Sequence, residues 1–174
     1  MDSPTHDAPD IAALPPEEFL RHVLEALHLR WRIAVLIPAI YLAGALAIQR
    51  TNFPGPAGLA PVSETASIVF TLFGAAIVGV LWKLLTAMRW VQLKELSLLS
   101  SDRAAFLAEA KSQLIRQLSL CDLAASPGLI LFITQGSFAA LAVFLIASMA
   151  MYLRAMPSER RIGEALLRPD LFAR

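Results

Sequence analysis

The sequence predicts an all-α integral membrane protein, a four-helix bundle made of two antiparallel hairpins. Three observations carry this prediction: the chain is 57% hydrophobic and only 17% charged, it contains four long apolar runs, and its basic residues are unevenly distributed around those runs. Soluble globular chains are about 45–50% apolar and about 25% charged. An apolar run in a bilayer must satisfy its backbone polar groups internally, which an α-helix does.

The amino-terminal region is expected to be a tail followed by an amphipathic helix. Residues 1–14 combine Pro, Asp and Ser with few large apolar residues, a composition typical of disorder. Over 15–32, four large apolar residues recur at the spacing of one helix face: Phe19, Val23, Leu24 and Leu27. We expect this helix to lead into the membrane, with its apolar face on the membrane surface or on the protein's own loops. Binding of a partner is the alternative.

Four apolar runs mark the expected spans: 33–49, 66–85, 118–134 and 138–153. The first is shorter than the roughly 20 residues that a helix needs to cross the hydrocarbon. It is therefore expected to continue the preceding helix, with a kink at Pro38. The last two spans are joined by Gln135-Gly136-Ser137.

A cytoplasmic helical segment is expected over 86–117, between the second and third spans. It is expected to be interrupted near Ser100-Ser101, since either serine is a suitable cap for the helix that follows. The residues of this segment that are expected to pack inward share one helix face: Leu107, Ala110, Leu114 and Ile115.

The arginines and lysines predict the orientation. Apart from Arg50, which lies between the first two spans, every basic residue precedes the first span, lies at or between the second and third, or follows the fourth. Basic residues concentrate on the cytoplasmic side of membrane proteins. We therefore expect both termini, and the tail over 154–174, to be cytoplasmic. The four-span domain over 33–153 is expected in the cytoplasmic (inner) membrane of a bacterial cell.

Asp122 is the one acidic residue within the last two apolar runs. A carboxylate inside a span is energetically expensive and raises the question of function, so Asp122 is a candidate ion-binding residue. Near the end of a span, however, an acid reaches the interface more cheaply, where it can pair with an arginine or cap a helix. The sequence leaves both interpretations open and favours the boundary residue.

Small residues on the second and third spans are candidates for close helix packing, because they let two backbones approach: Gly74, Ala75, Gly79, Ala124 and Gly128. Contacts within the chain and contacts with a partner both use such faces. Ser126 and Pro127 are a candidate kink or hinge, since proline lacks an amide and the serine hydroxyl can bond to the backbone. A static kink is favoured over a hinge, because membrane helices tolerate proline well.

Residues 123–132, LAASPGLILF, resemble the carboxylate-bearing helix of proteolipid c-like hairpins, the ion-carrying subunits of rotary ATPases. They also resemble a segment of small uncharacterised bacterial four-span membrane proteins. The resemblance covers one of the four expected spans. This chain has Ala125 where the proteolipid helices carry their ion-binding glutamate, and Asp122 lies three residues earlier on nearly the same helix face. The resemblance therefore implies the hairpin shape rather than the ion-transport activity.

The sequence contains no catalytic signature, since it lacks HExxH, CxxC, a Gly-rich phosphate loop and GxSxG. His22 and His28 are six residues apart, which is not the one-turn spacing of a helical metal pair. We therefore expect no enzymatic activity, no metal and no cofactor. The net charge of +1 gives no reason to expect nucleic acid as a partner.

These observations favour a non-catalytic accessory or assembly subunit of a larger membrane complex. Its expected partners are the lipid bilayer and other membrane proteins, or further copies of the same chain. The alternative function is proton or cation translocation using Asp122, the acid within the third span.

Overall fold

A computed structural model describes residues 14–51, 63–99 and 103–158 together with Ile162; for Pro16 and residues 89–99 it describes the backbone alone. Within these ranges the chain forms five α-helices and no strand: α1 (Pro16–Ala34), α2 (Ile37–Arg50), α3 (Glu64–Leu99), α4 (Arg103–Gln135) and α5 (Phe138–Ala155). The predictions for residues 1–13, for Ser100-Ser101 and for most of the tail over 154–174 lie outside the described residues.

Four segments of the described chain are long and apolar enough to cross a membrane: Glu17–Arg50, Glu64–Met88, Arg103–Gln135 and Phe138–Ala155. The first of these combines α1 and α2. The all-α prediction and the expectation of four such segments are therefore confirmed, and they fit an integral membrane protein.

The first segment is interrupted at Val35 and Leu36, which form a turn between α1 and α2. The amide of Val35 still donates to the carbonyl of Trp31, at 2.9 Å, but the amide of Leu36 donates to Ile33, three residues back, at 3.2 Å. Pro38 follows as the second residue of α2, where its missing amide is tolerated because the first turn of a helix has no internal partner for it. The interruption thus lies just before the proline.

The hairpin of α4 and α5 forms the centre of the bundle. These two helices pack along each other, while α3 packs mainly on α4 and α2 mainly on α5. Direct pairing of α2 with α3, which the sequence predicts as the first hairpin, is not among the main helix contacts of the described residues. The two outer helices instead pack mainly on different helices of the same central hairpin.

The turn between α4 and α5 explains why this hairpin closes so tightly. Gly136 has φ 68°, a left-handed conformation that glycine adopts without steric cost, and its amide donates to the carbonyl of Phe132 at 2.8 Å. Ser137 then caps α5, since its hydroxyl accepts from the amide of Ala140 at 3.3 Å. From α3, the Ser67 hydroxyl donates to the side-chain oxygen of Gln135 at 2.6 Å. We call this the turn end of the bundle.

At the opposite end, which we call the α1 end, the apolar face of α1 lies on α4. Phe19 is buried and its ring centroid lies 6.2 Å from that of Phe106. The guanidinium carbon of Arg103 lies 5.3 Å from the centroid of the Phe19 ring, and the same guanidinium donates to the carbonyl of Leu14. The expectation that this face lies on the membrane surface or on loops is wrong, because a helix of the same chain covers it.

The helices α3 and α4 are longer than a bilayer requires. With 36 and 33 residues they measure about 54 and about 50 Å, against a hydrocarbon thickness of about 30 Å. The excess of α4 is its amino-terminal part, where Leu107, Ala110 and Leu114 are buried as expected. The inward orientation expected for Ile115 is wrong, since 49% of that residue is exposed.

Candidate functional site

Asp122 on α4 is hydrogen-bonded to Tyr152 on α5. The phenol of Tyr152 donates to one carboxylate oxygen of Asp122 at 2.5 Å. Tyr152 is fully buried, whereas Asp122 is only partly buried. Hydrogen bonds to a carboxylate are shorter and stronger than those between neutral groups. This contact therefore fixes the register of the two central helices near the α1 end.

A second polar contact joins the same two helices one turn away. Ser148, which precedes Tyr152 by four residues on α5, is fully buried and donates to the carbonyl of Cys121 at 2.7 Å. The Cys121 thiol in turn lies 3.2 Å from the carbonyl of Gln117 on its own helix. Because residues four apart share a helix face, Ser148 and Tyr152 present one polar strip to α4, and both of its hydroxyls are satisfied.

Two side chains of α1 contact backbone carbonyls at the carboxyl-terminal end of α5. The last carbonyls of any helix lack an internal partner, and the amide of Met156 donates to Leu153 rather than to Tyr152. The indole of Trp31 supplies the missing donor to the carbonyl of Tyr152, at 2.8 Å. One turn earlier on α1, Nε2 of His28 lies 3.0 Å from the carbonyl of Pro157. Trp31 and His28 thus hold the end of α5 against α1.

This arrangement decides between the alternatives for Asp122 only in part. Among the described residues its partner is a phenol, neither an arginine nor a helix end. Its second carboxylate oxygen has no hydrogen-bond partner in that part of the chain. The carboxylate can therefore support the helix contact or take up a further cation or proton from the side that is exposed.

The described residues contain no group of three or more histidine, cysteine or carboxylate side chains that could hold a metal ion. Cys121 is buried, and its sulfur contacts a backbone carbonyl of its own helix. The chemistry that the site offers therefore depends on Asp122 and the two hydroxyls that face α4.

The predicted packing residues fall into two groups, of which the first lies at helix contacts. A Cβ built on Gly128 would be 2.7 Å from Cβ of Phe144 and 3.1 Å from Cα of Leu141, so α4 and α5 touch there through their backbones. A Cβ on Gly74 would be 2.8 Å from Cβ of Pro127, so α3 touches α4 at the proline. Ala124 is fully buried.

The second group, Ala75 and Gly79, is exposed on α3. No atom comes within 4 Å of a Cβ built on Gly79. Ala75 lines a groove of about 430 Å³ between α3 and α5. We call this the small-residue groove; it is lined by Thr71, Ala75, Val78, Ser137, Ala139, Ala140, Val143, Phe144 and Ala147. Gly79 continues the same face of α3 one turn beyond Ala75.

Ser126 and Pro127 lie inside a continuous α4. Proline has no amide, so the carbonyl of Leu123, four residues earlier, loses its usual helical donor. The Ser126 hydroxyl donates to that carbonyl at 2.8 Å. The side chain of Pro127 packs against the glycine of α3, as described for Gly74. Both the lost hydrogen bond and the added bulk of the proline are accommodated, an arrangement typical of a static kink.

The sequence reasoning missed Tyr152, Ser148 and Trp31 as parts of the site. A signal for Tyr152 exists: Asp122 lies 14 residues before Gly136, and Tyr152 lies 15 residues after Ser137. In an antiparallel hairpin these two positions come to the same level. The contact of Trp31 with α5 has no such signal, because it depends on how α1 folds back on the bundle.

Comparison of this chain with protein-family models, with curated proteins and with solved structures finds no match.

Proposed function

We propose that this protein is a non-catalytic accessory or assembly subunit of a larger membrane complex in a bacterial cytoplasmic membrane. In this proposal both termini are cytoplasmic, α3 and α4 extend from the membrane on that side, and the partner is another membrane protein or a second copy of the chain. The observation that carries the proposal is the uncovered small-residue groove with the adjoining face of α3.

The groove supports this proposal because of what membrane helices need in order to associate. Lipid tails are as apolar as leucine, so helix association in a bilayer depends on close packing and on small residues that let backbones approach. The chain already uses Gly74 and Gly128 in this way. Ala75 and Gly79 offer the same kind of surface, and no described residue packs against Gly79.

The polar groups near the α1 end support a structural role as well. Tyr152, Ser148 and Trp31 are all engaged in hydrogen bonds between helices. Such contacts hold α1, α4 and α5 in one arrangement, which a surface that binds a partner requires. In this proposal Asp122 acts as the acceptor that positions Tyr152.

The alternative remains proton or cation translocation using Asp122. One observation favours it: Asp122 is only partly buried and has one carboxylate oxygen without a hydrogen-bond partner among the described residues. Intramembrane carboxylates commonly mark ion pathways. This alternative predicts ion flux through the isolated protein, which the subunit proposal does not.

A matched pair of glycines tests the subunit proposal. Gly79→Leu fills the face beside the groove, and Gly44→Leu makes the same change on α2, where a Cβ also meets no atom within 4 Å. After extraction of native membranes in mild detergent, the parent protein is expected to migrate as a complex with defined copurifying chains. Gly79→Leu is expected to lower their recovery at least about fivefold, the effect of ~1 kcal/mol, while Gly44→Leu leaves it unchanged.

Equal recovery for the two leucine variants would contradict the proposed docking face. The translocation alternative is tested in the same preparation by reconstituting the parent and Asp122→Asn into sealed liposomes under a proton or cation gradient. Flux that the substitution abolishes would support translocation and contradict the subunit proposal. Equal permeability of both proteins and of protein-free liposomes supports a structural role for Asp122.

A further inference from the structure

A pocket lies at the α1 end of the bundle, between α1, the amino-terminal half of α4 and the residues that follow α5. Its walls include Leu27 of α1, Ala110 and Leu114 of α4, Ala155 of α5, and Ile162. All five of these residues are buried. The pocket leaves about 60 Å³ for the centres of water-sized molecules. Because one water needs about 10–15 Å³, there is room for a molecule of roughly five non-hydrogen atoms.

A buried glutamine interrupts these apolar walls. Gln113 lies three residues after Ala110 on the inward face of α4, is only 5% exposed and lines the pocket. Its side chain forms no hydrogen bond with any residue that the structure describes. Buried side-chain amides are normally paired, and an unpaired one carries a cost in stability that a leucine at the same position would not. We call this space the glutamine pocket, since its one buried amide is available to a molecule that enters it.

The other residues of the glutamine pocket limit what can bind there. None of the described residues that line it is charged, so an ion would lose hydration in the pocket without gaining a partner of opposite charge. Its outer side is formed by Met156, which is 43% exposed, and by the half-buried Pro157 and Ser158. Nε2 of His28 lies 3.0 Å from the carbonyl of Pro157 and holds this wall in place. The pocket therefore suits an uncharged molecule that enters beside the end of α5.

We infer that the glutamine pocket binds a small uncharged molecule that carries a primary amide. The Gln113 side chain presents a donor and an acceptor side by side, and a second primary amide pairs with both at once. A carboxylic acid is ionised at neutral pH, so it lacks the donor and brings a charge. The apolar walls fit a short hydrocarbon group attached to the amide, which water does not provide. The inference depends neither on the membrane nor on the small-residue groove, so it is independent of the proposed function.

Three molecules of the same size test the inference: propionamide, butanone and propionate, which differ only in the group beside the carbonyl. The purified protein in detergent is titrated with each, and the apparent dissociation constant is measured by saturation-transfer NMR of the added molecule. We expect propionamide to bind in the millimolar range, as is usual for so few atoms. It should bind at least about fivefold more tightly than butanone or propionate, because each of these leaves the Gln113 side-chain carbonyl unpaired.

Two variants and a matched control isolate the amide. Gln113→Leu is expected to weaken propionamide binding at least about fivefold. It should unfold in dodecyl sulfate no more easily than the parent, since it removes a polar group that no described residue satisfies. Ala110→Leu leaves Gln113 in place but fills the pocket, and is expected to abolish binding. Gln49→Leu makes the same glutamine change at an exposed position of α2 and is expected to bind propionamide as the parent does.

Three outcomes would overturn the inference. Binding of butanone or propionate as tightly as propionamide would show that the pocket does not recognise an amide. Absence of propionamide binding to the parent protein would leave water as the occupant of the pocket. Easier unfolding of Gln113→Leu than of the parent would show that the amide already has a partner in the folded protein. The comparison of the three molecules uses the parent protein, so it remains decisive if Gln113→Leu does not fold.

Discussion

The contact between α4 and α5 at Gly128 makes a quantitative prediction for Gly128→Ala. The new Cβ would lie 2.7 Å from Cβ of Phe144, 3.1 Å from Cα of Leu141 and 3.3 Å from the carbonyl oxygen of Ala140. Carbon atoms pack best at about 3.5–4.0 Å. All three obstructing atoms belong to the backbone of α5 or are attached directly to it, so no side-chain rotation relieves the clash. The helices must move apart.

The size of the effect follows from two opposing terms. Forcing an extra methyl group into a packed contact costs about 1–3 kcal/mol. Replacing glycine with alanine inside a helix returns up to about 1 kcal/mol of helix propensity. The obstructing atoms cannot rotate away, so the packing cost should lie in the upper part of its range, and we expect Gly128→Ala to destabilise the bundle by about 1–2 kcal/mol. The measurement is unfolding in a mild detergent with increasing dodecyl sulfate, followed by far-ultraviolet circular dichroism.

The other glycines of the bundle provide matched controls. Gly44→Ala and Gly79→Ala add a methyl group where no atom lies within 4 Å, so they are expected to be neutral or slightly stabilising. Gly74→Ala is expected to cost less than Gly128→Ala, because one of its two closest obstructions is the outermost carbon of the Phe144 ring, which can be displaced more easily than backbone. Equal stability of Gly128→Ala and Gly79→Ala would refute the reasoning.

Two further predictions concern hydrogen bonds. Tyr152→Phe is expected to cost about 0.5–2 kcal/mol in the same unfolding assay, because it removes the donor to Asp122. A double-mutant cycle with Asp122→Ala, which removes the acceptor, that yields no coupling energy would contradict this. Ser126→Ala is expected to destabilise by about 1 kcal/mol, since its hydroxyl serves the carbonyl of Leu123. The loss should disappear in a Pro127→Ala background, where a backbone amide returns, and an unchanged loss there would count against this account.

The sequence predicts a structural feature correctly where residues close together in the chain determine it. Hydropathy and length locate the helices, because backbone satisfaction in an apolar setting leaves no other choice. Gly136 and Ser137 predict the turn, since one residue permits a left-handed conformation and the other caps a helix. The inward orientation of Leu107 and Leu114 also follows from helical spacing.

The sequence does not predict which residues face a neighbouring helix, because this depends on the rotation of the whole helix about its axis. Gly74 and Gly79 belong to the same small-residue pattern, yet only Gly74 faces α4 and α5. Helical spacing also fixes the inward face of α4 only to within about one residue, and for this reason Ile115 was wrongly predicted to face inward. The two outer helices pack on the central hairpin rather than on each other. This choice depends on contacts between residues far apart in the sequence, and the periodicity within one helix does not predict such contacts.

The central claim is that four helices cross a bilayer, with the link between α2 and α3 on the side opposite to the beginning of α4. Single cysteines introduced at Thr51, Ser63 and Ala105 into a Cys121→Ala background test it, since all three positions are exposed. In sealed vesicles of known orientation, a membrane-impermeant maleimide is expected to label Thr51→Cys and Ser63→Cys from the outside, and Ala105→Cys only after lysis. Labelling of all three from the same side would contradict the claim.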